Sequence, residues 1–283
     1  MLTLAIGDLF IPERTIDLPP KFKKLLAPNP NNYPSNPKIN KVLCLGNITN
    51  SSKLLKFLYD ISLDFQLTKG EFDNPNIISQ QLQFLIPTSK NKKNELPQIP
   101  MYNKFNHDNL KIGYTNGYQI VPRGDPLQLS SIARELDVDI LIWGGTHRVE
   151  AYTLDGKFFI NPGSGTGAFS LDWPELDDEE EEDIEREEEV KKESSKEDSK
   201  EKGETKSNED TEEESKDEPK QTEEDLEKAR EEKEKEILFE VTEMNTNIPS
   251  FCLLDTNGST CILYIYTYFN NEVKVDKVTY SRE

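Results

Sequence analysis

Apolar residues along this chain recur at two spacings, and the switching between them sets out the fold. Leu2-Thr3-Leu4-Ala5-Ile6 is a short apolar run closed by Gly7-Asp8, which predicts a buried strand feeding a loop. Residues 42–45, ended by Gly46-Asn47, predict a second strand, and residues 65–68, leading into Gly70-Glu71-Phe72-Asp73, a third. Between them the period lengthens. Residues 19–26 place Phe22, Leu25 and Leu26 at helical spacing behind two prolines that suit a helix start. Residues 51–61 do the same with Leu54, Leu55, Leu58 and Ile61. Residues 110–115, closed by Asn116-Gly117, and 138–143, closed by Gly144-Gly145, read as strands around a helix at 126–136. Two hairpins follow from Asp155-Gly156, between 150–154 and 157–160, and from Asn257-Gly258, between 250–255 and 261–268. Residues 273–280 supply a last strand. Strands alternating with helices mean an α/β domain.

Two stretches interrupt the rhythm. Residues 87–106, rich in Lys, Asn and Pro, read as an irregular loop insertion. The 62 residues 175–236 hold 32 Asp and Glu against 13 Lys and Arg, so a net −19 of the chain's −20 sits there. That acidic insertion has almost no aromatic or β-branched residues. It is expected to be disordered, or a solvated helix with Glu–Lys pairs at 223–238. It is either a tolerated surface insertion or an acidic tether for basic partners. The other 221 residues are nearly neutral, at −1, with no basic footprint for nucleic acid. Outside these insertions the 283 residues read as one domain.

Cys44, Cys252 and Cys261 each lie in an apolar run, which predicts buried, reduced thiols in a cytosolic protein. No run approaches the ~20 apolar residues of a membrane span. The opening MLTLAIGDLF lacks a basic region before its apolar run, so it reads as a core strand and not as a signal peptide.

The candidate chemistry lies at strand ends, where Asp8, Asn47, Glu71 and Asp73, Asn116 and His147 each open a loop. Ligands gather at the carboxyl ends of strands in open α/β sheets. Each residue also has a plainer reading. Asp8 caps a turn or is a former ligand. His147 is a hydrogen-bonded loop histidine sooner than a ligand, and His107 a solvated loop residue. The NPGSGTG loop at 161–167 lacks the Lys-Ser/Thr of a phosphate-binding loop and reads as a structural turn.

In calcineurin-like metallophosphoesterases the order is D-x-H, G-D-x-x-D, G-N-H-[DE], a lone His, then G-H-x-H. This chain runs Asp8-Leu9-Phe10, Gly46-Asn47-Ile48-Thr49-Asn50, Gly70-Glu71-Phe72-Asp73, Asn116, then Gly145-Thr146-His147, and it resembles that family. A closer resemblance is to the small-subunit family of the retromer complex. It is carried by GDLFIPER, LPPKFKKLL, KGEFDN, GYQIVPRGDPLQL, LDVDILIWGGTHRVEAY, GKFFINPGSGTGAF, PSFCLLD and EVKVDKVTY. The long acidic insertion points to a fungal member.

The resemblance implies a four-layer αββα sandwich, two mixed sheets flanked by helices. Two metals in the hydrolases lie about 3.5–4 Å apart. Here the first would fall to Asp8, Phe10, Asn47 and His147, and the second to Asn47, Glu71, Asn116 and Gly145. Phe10 cannot ligate, Asn47 is neutral at the bridging position, and Phe72 replaces the general-acid histidine. The expectation is therefore a non-catalytic scaffold with no resident cofactor, against the alternative of an active metal-dependent phosphoesterase. At most a weak divalent cation would sit at Asp8, Glu71, Asp73 and His147.

The resemblance also implies docking on the large α-solenoid subunit through Tyr118, Ile120, Val121 and Pro122. From the residues alone, core burial is an equal reading for Ile120. Regulatory and accessory proteins would bind a second patch of Leu2, Leu25, Leu253, Tyr264 and Tyr266, each of which reads as core by sequence alone. The other core subunit, the sorting nexins and the endosome membrane would be reached through the complex. The chain itself would be cytoplasmic and peripheral to the membrane.

Overall fold

The computed structural model describes residues 1–48, 51–85, 97–168 and 248–282. The acidic segment at 175–236, with the helix expected at 223–238, lies outside the described residues, as do 87–96 of the first insertion.

Two mixed sheets stack face to face. The first has the order β11 (Glu272–Ser281), β10 (Thr260–Phe269), β9 (Ser250–Asn257), β1 (Leu2–Ile6), β2 (Lys41–Cys44), β3 (Asp64–Leu67). Within it β1, β2 and β3 run parallel, and β9, β10 and β11 antiparallel. The second has the order β4 (Tyr102–His107), β5 (Leu110–Thr115), β6 (Ile140–Ile142), β8 (Lys157–Pro162), β7 (Val149–Leu154). Its centre, β5, β6 and β8, is parallel, and its two edges are antiparallel.

Side-chain alternation explains the four layers. Leu4 and Ile6 of β1 face the helices α1 (Pro20–Leu26), α2 (Ser52–Ile61) and α3 (Pro75–Leu85), while Ala5 faces the second sheet. Strands buried on both faces read as continuous apolar runs, which is why these strands show no polar alternation. Between the sheets, Leu43, Leu45, Cys252, Leu254 and Leu263 meet Ile112, Tyr114, Ile140, Phe158 and Ile160. The outer face of the second sheet packs Leu141, Trp143 and Phe159 under Leu129 and Ala133 of α4 (Pro126–Glu135). The result is the αββα sandwich, and two of its helices carry their caps. Ser51 Oγ accepts from Leu54 N in α2, and Asp125 accepts from Leu127 N ahead of Pro126 in α4.

The three cysteines are free and buried, and burial pushes their thiols well above the usual range. Among the described residues no helix is long and apolar enough to cross a membrane.

Three readings change. Residues 102–106, expected to be irregular, belong to β4, an edge strand whose Phe105 packs inward while Tyr102, Asn103, Lys104 and Asn106 face solvent. Its polar composition follows from that edge position. His107 ends this strand half-buried, with Nδ1 3.1 Å from Thr256 Oγ1, and is no solvated loop residue. Helix α3 was not foreseen. Its buried positions Ile78 and Leu82 are four apart, and Asn74 Oδ1 accepts from Asn76 N at its start.

The NPGSGTG turn ties the chain together where the long connection leaves and returns. Ser164 Oγ accepts from Ala168 N (2.8 Å), and Ser164 O accepts from Ser250 N (2.8 Å).

Candidate functional site

Five strand ends from both sheets converge. Asp8 follows β1, Asn47 follows β2, Glu71 and Asp73 follow β3, Asn116 follows β5 and His147 follows β6. Asp8, Phe10, Asn47 and His147 all have φ between 45° and 63°, a left-handed backbone that non-glycine residues seldom adopt. The strand-end loops press together tightly. A Cβ on Gly46 would lie 2.3 Å from Gly70 N, and one on Gly70 would lie 2.2 Å from Asn47 N, so both positions require glycine.

At the centre, Asp8 is fully buried. Its Oδ1 accepts from Asn47 Nδ2 (2.6 Å) and Asn116 Nδ2 (3.2 Å), and its Oδ2 from Gly145 N (2.8 Å). Burial pushes the Asp8 carboxyl above its ordinary value of 3.8, against the opposing pull of His147, the Gly145 N–H, Asn47 and Asn116. Asn116 Nδ2 also donates to Leu45 O (2.7 Å), and its Oδ1 is buried without a hydrogen-bond partner. Asn47 Oδ1 accepts from Phe72 N (3.2 Å). Asp73 Oδ2 accepts from Asn47 N (2.7 Å) and Gly70 N (2.9 Å), so this carboxylate closes the loop after β3 onto the loop after β2.

The pocket wall is aromatic. The Phe10 ring meets His147 edge-on at 5.1 Å and Phe72 at 5.7 Å, and Phe72 is largely exposed. Glu71 is engaged by Arg123, whose Nη2 lies 2.7 Å from Glu71 Oε2 and whose Nη1 donates to Gly145 O (3.3 Å). Below, Ser164 Oγ donates to Asp8 O (2.5 Å) and Thr166 Oγ1 to Leu9 O (2.7 Å). Asn161 Nδ2 donates to Thr146 Oγ1 (2.9 Å). The NPGSGTG turn thus braces the Asp8 and His147 loops from behind.

Of the positions that the hydrolase pattern gives to two metals, Phe10 offers no donor atom and Asn47 is neutral. Among the described residues, no three of His, Cys, Asp and Glu come together to hold a metal. Asp8, Glu71, Asp73 and His147 form no such group of three, although His147 acts on Asp8 electrostatically. Asp8 faces N–H donors, Asp73 faces two backbone amides and Glu71 faces a guanidinium.

Beside the pocket, the four apolar candidates separate. Val121 is 77% exposed and Pro122 is exposed, whereas Ile120 is 2% exposed and packs with Trp143 and Leu129. Ile120 is a core residue. It sits at the loop's inward turn, where its N donates to Gly117 O (3.0 Å). Tyr118 is half-buried, with Lys69 Nζ 5.7 Å from its ring centre.

The second apolar set lies on the helix side of the first sheet. Leu2, Leu25, Leu253 and Tyr266 line a groove of about 210 Å³ with Leu26, Ile39 and Phe251. Tyr264 does not line it, although it pairs with Leu253 across β9 and β10. Leu25 is 47% exposed, and the Tyr266 ring stacks on Phe251 at 4.7 Å.

Sequence reasoning did not single out Arg123, Ser164, Thr166 or Asn161. For Arg123 the available cue was a charge set directly after the apolar Ile120-Val121-Pro122.

Comparison with known proteins gives one picture. Residues 31–173 match the calcineurin-like phosphoesterase superfamily domain. The chain is 45% identical to vacuolar protein sorting-associated protein 29 of Saccharomyces cerevisiae, over the full length of both. The crystal structure of Chaetomium thermophilum Vps29 is 29% identical, with all of both chains covered and a TM-score of 0.62. The same relative has also been crystallised with a cyclic peptide, RT-D3 (TM-score 0.57, 28% identity, 100% of this chain and 98% of that one). Wild-type Vps29 of Entamoeba histolytica, crystallised with zinc, is 25% identical over 99% of both chains, with a TM-score of 0.58.

Proposed function

Because the chain belongs to the vacuolar protein sorting-associated protein 29 family, we propose that it is the non-catalytic scaffold subunit of the retromer complex, working in endosome-to-Golgi retrograde protein transport. The pocket rim docks on the C-terminal α-solenoid of the large subunit. Val121 and Pro122 make the apolar contact and Tyr118 flanks it, while Ile120 serves from within by fixing the loop. A solenoid offers an extended concave surface that encloses a compact domain of this kind. The groove of Leu2, Leu25, Leu253 and Tyr266, with Tyr264 at its margin, receives accessory and regulatory proteins. The other core subunit, the sorting nexins and the endosome membrane are reached through the complex.

One observation carries the non-catalytic reading. Both oxygens of Asp8 accept hydrogen bonds from the protein's own N–H groups. A two-metal hydrolase needs those oxygens, a bridging anion and imidazoles to hold its ions and generate a nucleophile. Here the bridging position, Asn47, directs an N–H at Asp8, and the Phe72 ring can neither give nor take a proton. Turnover of a generic phosphodiester with Mn²⁺ or Zn²⁺ is the test. No turnover above background is expected, and activity that vanishes in Asp8→Ala would overturn the reading. Docking is tested by calorimetry against the purified large subunit, where absence of binding by the wild-type chain would refute it.

A further inference from the structure

Arg123 does more than fill space at the rim. Its guanidinium spans Glu71 Oε2 at 2.7 Å and Gly145 O at 3.3 Å. Glu71 and Gly145 stand at two of the four positions where the hydrolase resemblance sets a second metal. The guanidinium therefore takes up a cation's part there, and it joins the loops that follow β3, β5 and β6. We propose that Arg123 is a built-in cation that replaces a metal as the cross-link of the pocket and holds the Val121 loop in its docking shape. This rests on the reading that Val121 docks on the solenoid subunit.

The loop's geometry supports a two-point anchor. On one side of Val121, Ile120 is buried among Trp143 and Leu129, and its amide is tied to Gly117 O. On the other side, Arg123 reaches across to Glu71 and Gly145. The chain can lie this close only because residue 124 is glycine. With φ +73°, a Cβ there would lie 3.0 Å from Thr146 Cγ2 and 3.2 Å from Trp143 Cη2. Asp125 N then donates to Pro122 O (3.3 Å), and the Asp125 side chain caps α4. Val121 projects between the two anchors at 77% exposure. A knob held on both sides loses little freedom when it docks, and such preorganisation raises affinity without adding a contact.

A guanidinium suits the task better than an ion. It keeps its charge at all working pH values and presents a rigid fork of donors. It is covalently attached, so the lock does not vary with metal supply. Both partners of the pair are about one-third exposed, so the lock is open to salt in the free chain.

The experiment measures binding of the purified chain to the purified large subunit and, in parallel, hydrogen exchange of the free chain. Arg123→Ala and Glu71→Gln should each weaken binding by about fivefold, the scale of one good partly exposed ion pair. The double variant should be no worse than either single one, as expected for groups acting as a unit. The swapped pair, Arg123→Glu with Glu71→Arg, should regain most of the loss. In the free chain both single variants should speed exchange at the Ile120 and Asp125 amides. EDTA should change nothing. If Glu71→Gln binds as wild type while Arg123→Ala weakens, Arg123 touches the partner directly and the lock is wrong. Unchanged binding in both, with Val121→Asp strongly impaired, overturns the lock and leaves the docking reading standing. If Val121→Asp itself binds normally, the docking reading fails. Exchange then decides the lock alone, and Ile120 and Asp125 amides that exchange as in wild type overturn it.

Discussion

The Val121 loop and the Leu253 groove both offer apolar side chains to solvent, yet opposite parts of the fold hold them. The groove is mostly regular structure, completed by Asn36, Lys38 and Ile39 of the connection before β2. Leu253 pairs with Leu4 on one side and Tyr264 on the other, Tyr266 pairs with Phe251, and α1 supplies Leu25. Its shape follows from strand register, so it is as firm as the sheet itself. The loop has no ladder. It holds its shape through side chains at its base: Ile120 in the core, Arg123 on Glu71, and Gly124 against Trp143. The groove therefore depends on pairing between strands, whereas the loop depends on the polar pocket beneath it. A pocket without the hydrolase histidines still forms the base of the proposed Val121 contact.

Substitutions can separate the two. The largest effect is expected from Val121→Asp, which forces an unpaired carboxylate into a desolvated contact at about 3 kcal/mol. Affinity for the large subunit should fall on the order of 100-fold, with groove ligands unaffected. Equal loss at both surfaces in calorimetry would show that the two are not independent.

Asp8→Ala strikes the foundation. It takes the acceptor from Asn47 Nδ2 and the Gly145 N–H in a buried site, while Asn116 Nδ2 keeps Leu45 O, at about 2 kcal/mol. For a domain of this size the melting temperature should drop by roughly 6 °C. The pH dependence has a definite sign. Because the folded-state pKa is raised above 3.8, the folded chain binds the proton more tightly than the unfolded chain does. Stability from Asp8 is thus greatest in acid and declines as pH rises through the raised value. The cost of Asp8→Ala should accordingly be larger in mild acid than at neutral pH. A cost that grows toward alkaline pH would contradict the raised direction.

Leu253→Glu comes next. It removes a half-buried apolar wall of the groove and should weaken accessory partners by about 1.5 kcal/mol, roughly tenfold. Solenoid binding should stay within twofold, as measured in the same assay. Reduced solenoid affinity would mean that the groove and the rim share a partner. Smallest of all is the response to Mn²⁺, Zn²⁺ or EDTA. The melting temperature should move by less than about 1 °C, because a ligand that binds neither state shifts no equilibrium. A rise of several degrees with zinc would reopen the metal site.

Much of the fold was legible because its chemistry is local. Asp155-Gly156 and Asn257-Gly258 mark two hairpins by turn geometry alone, and both occur where expected. Among the parallel strands, β1, β2 and β6 announce themselves as apolar runs because both their faces are buried. β4 was missed for the converse reason: an edge strand facing water has the composition of a loop. α3 carried a start signal, Asn74-Pro75, that sequence reasoning passed over. The candidate site was legible as a list of strand ends, since each loop opens directly after an apolar run. The partners were not. Arg123 and Glu71 are 52 positions apart, and Ser164 and Asp8 are 156 apart. Such pairings arise only when two sheets stack. Ile120 had two equal readings because a loop residue beside an exposed Val121 can turn inward without any change in local pattern.

The clasp formed by Ser164 bears on how much chain the fold can carry between β8 and β9. Ser164 binds the amides of Ala168 and Ser250, one on each side of the connection across residues 169–247. The two ends are therefore fixed near each other by the core, whatever lies between them. Closing a flexible chain between fixed points becomes harder only logarithmically, by about 0.6 kcal/mol for each doubling. Residues can be gained or lost at that point over evolutionary time while the sandwich keeps almost all its stability.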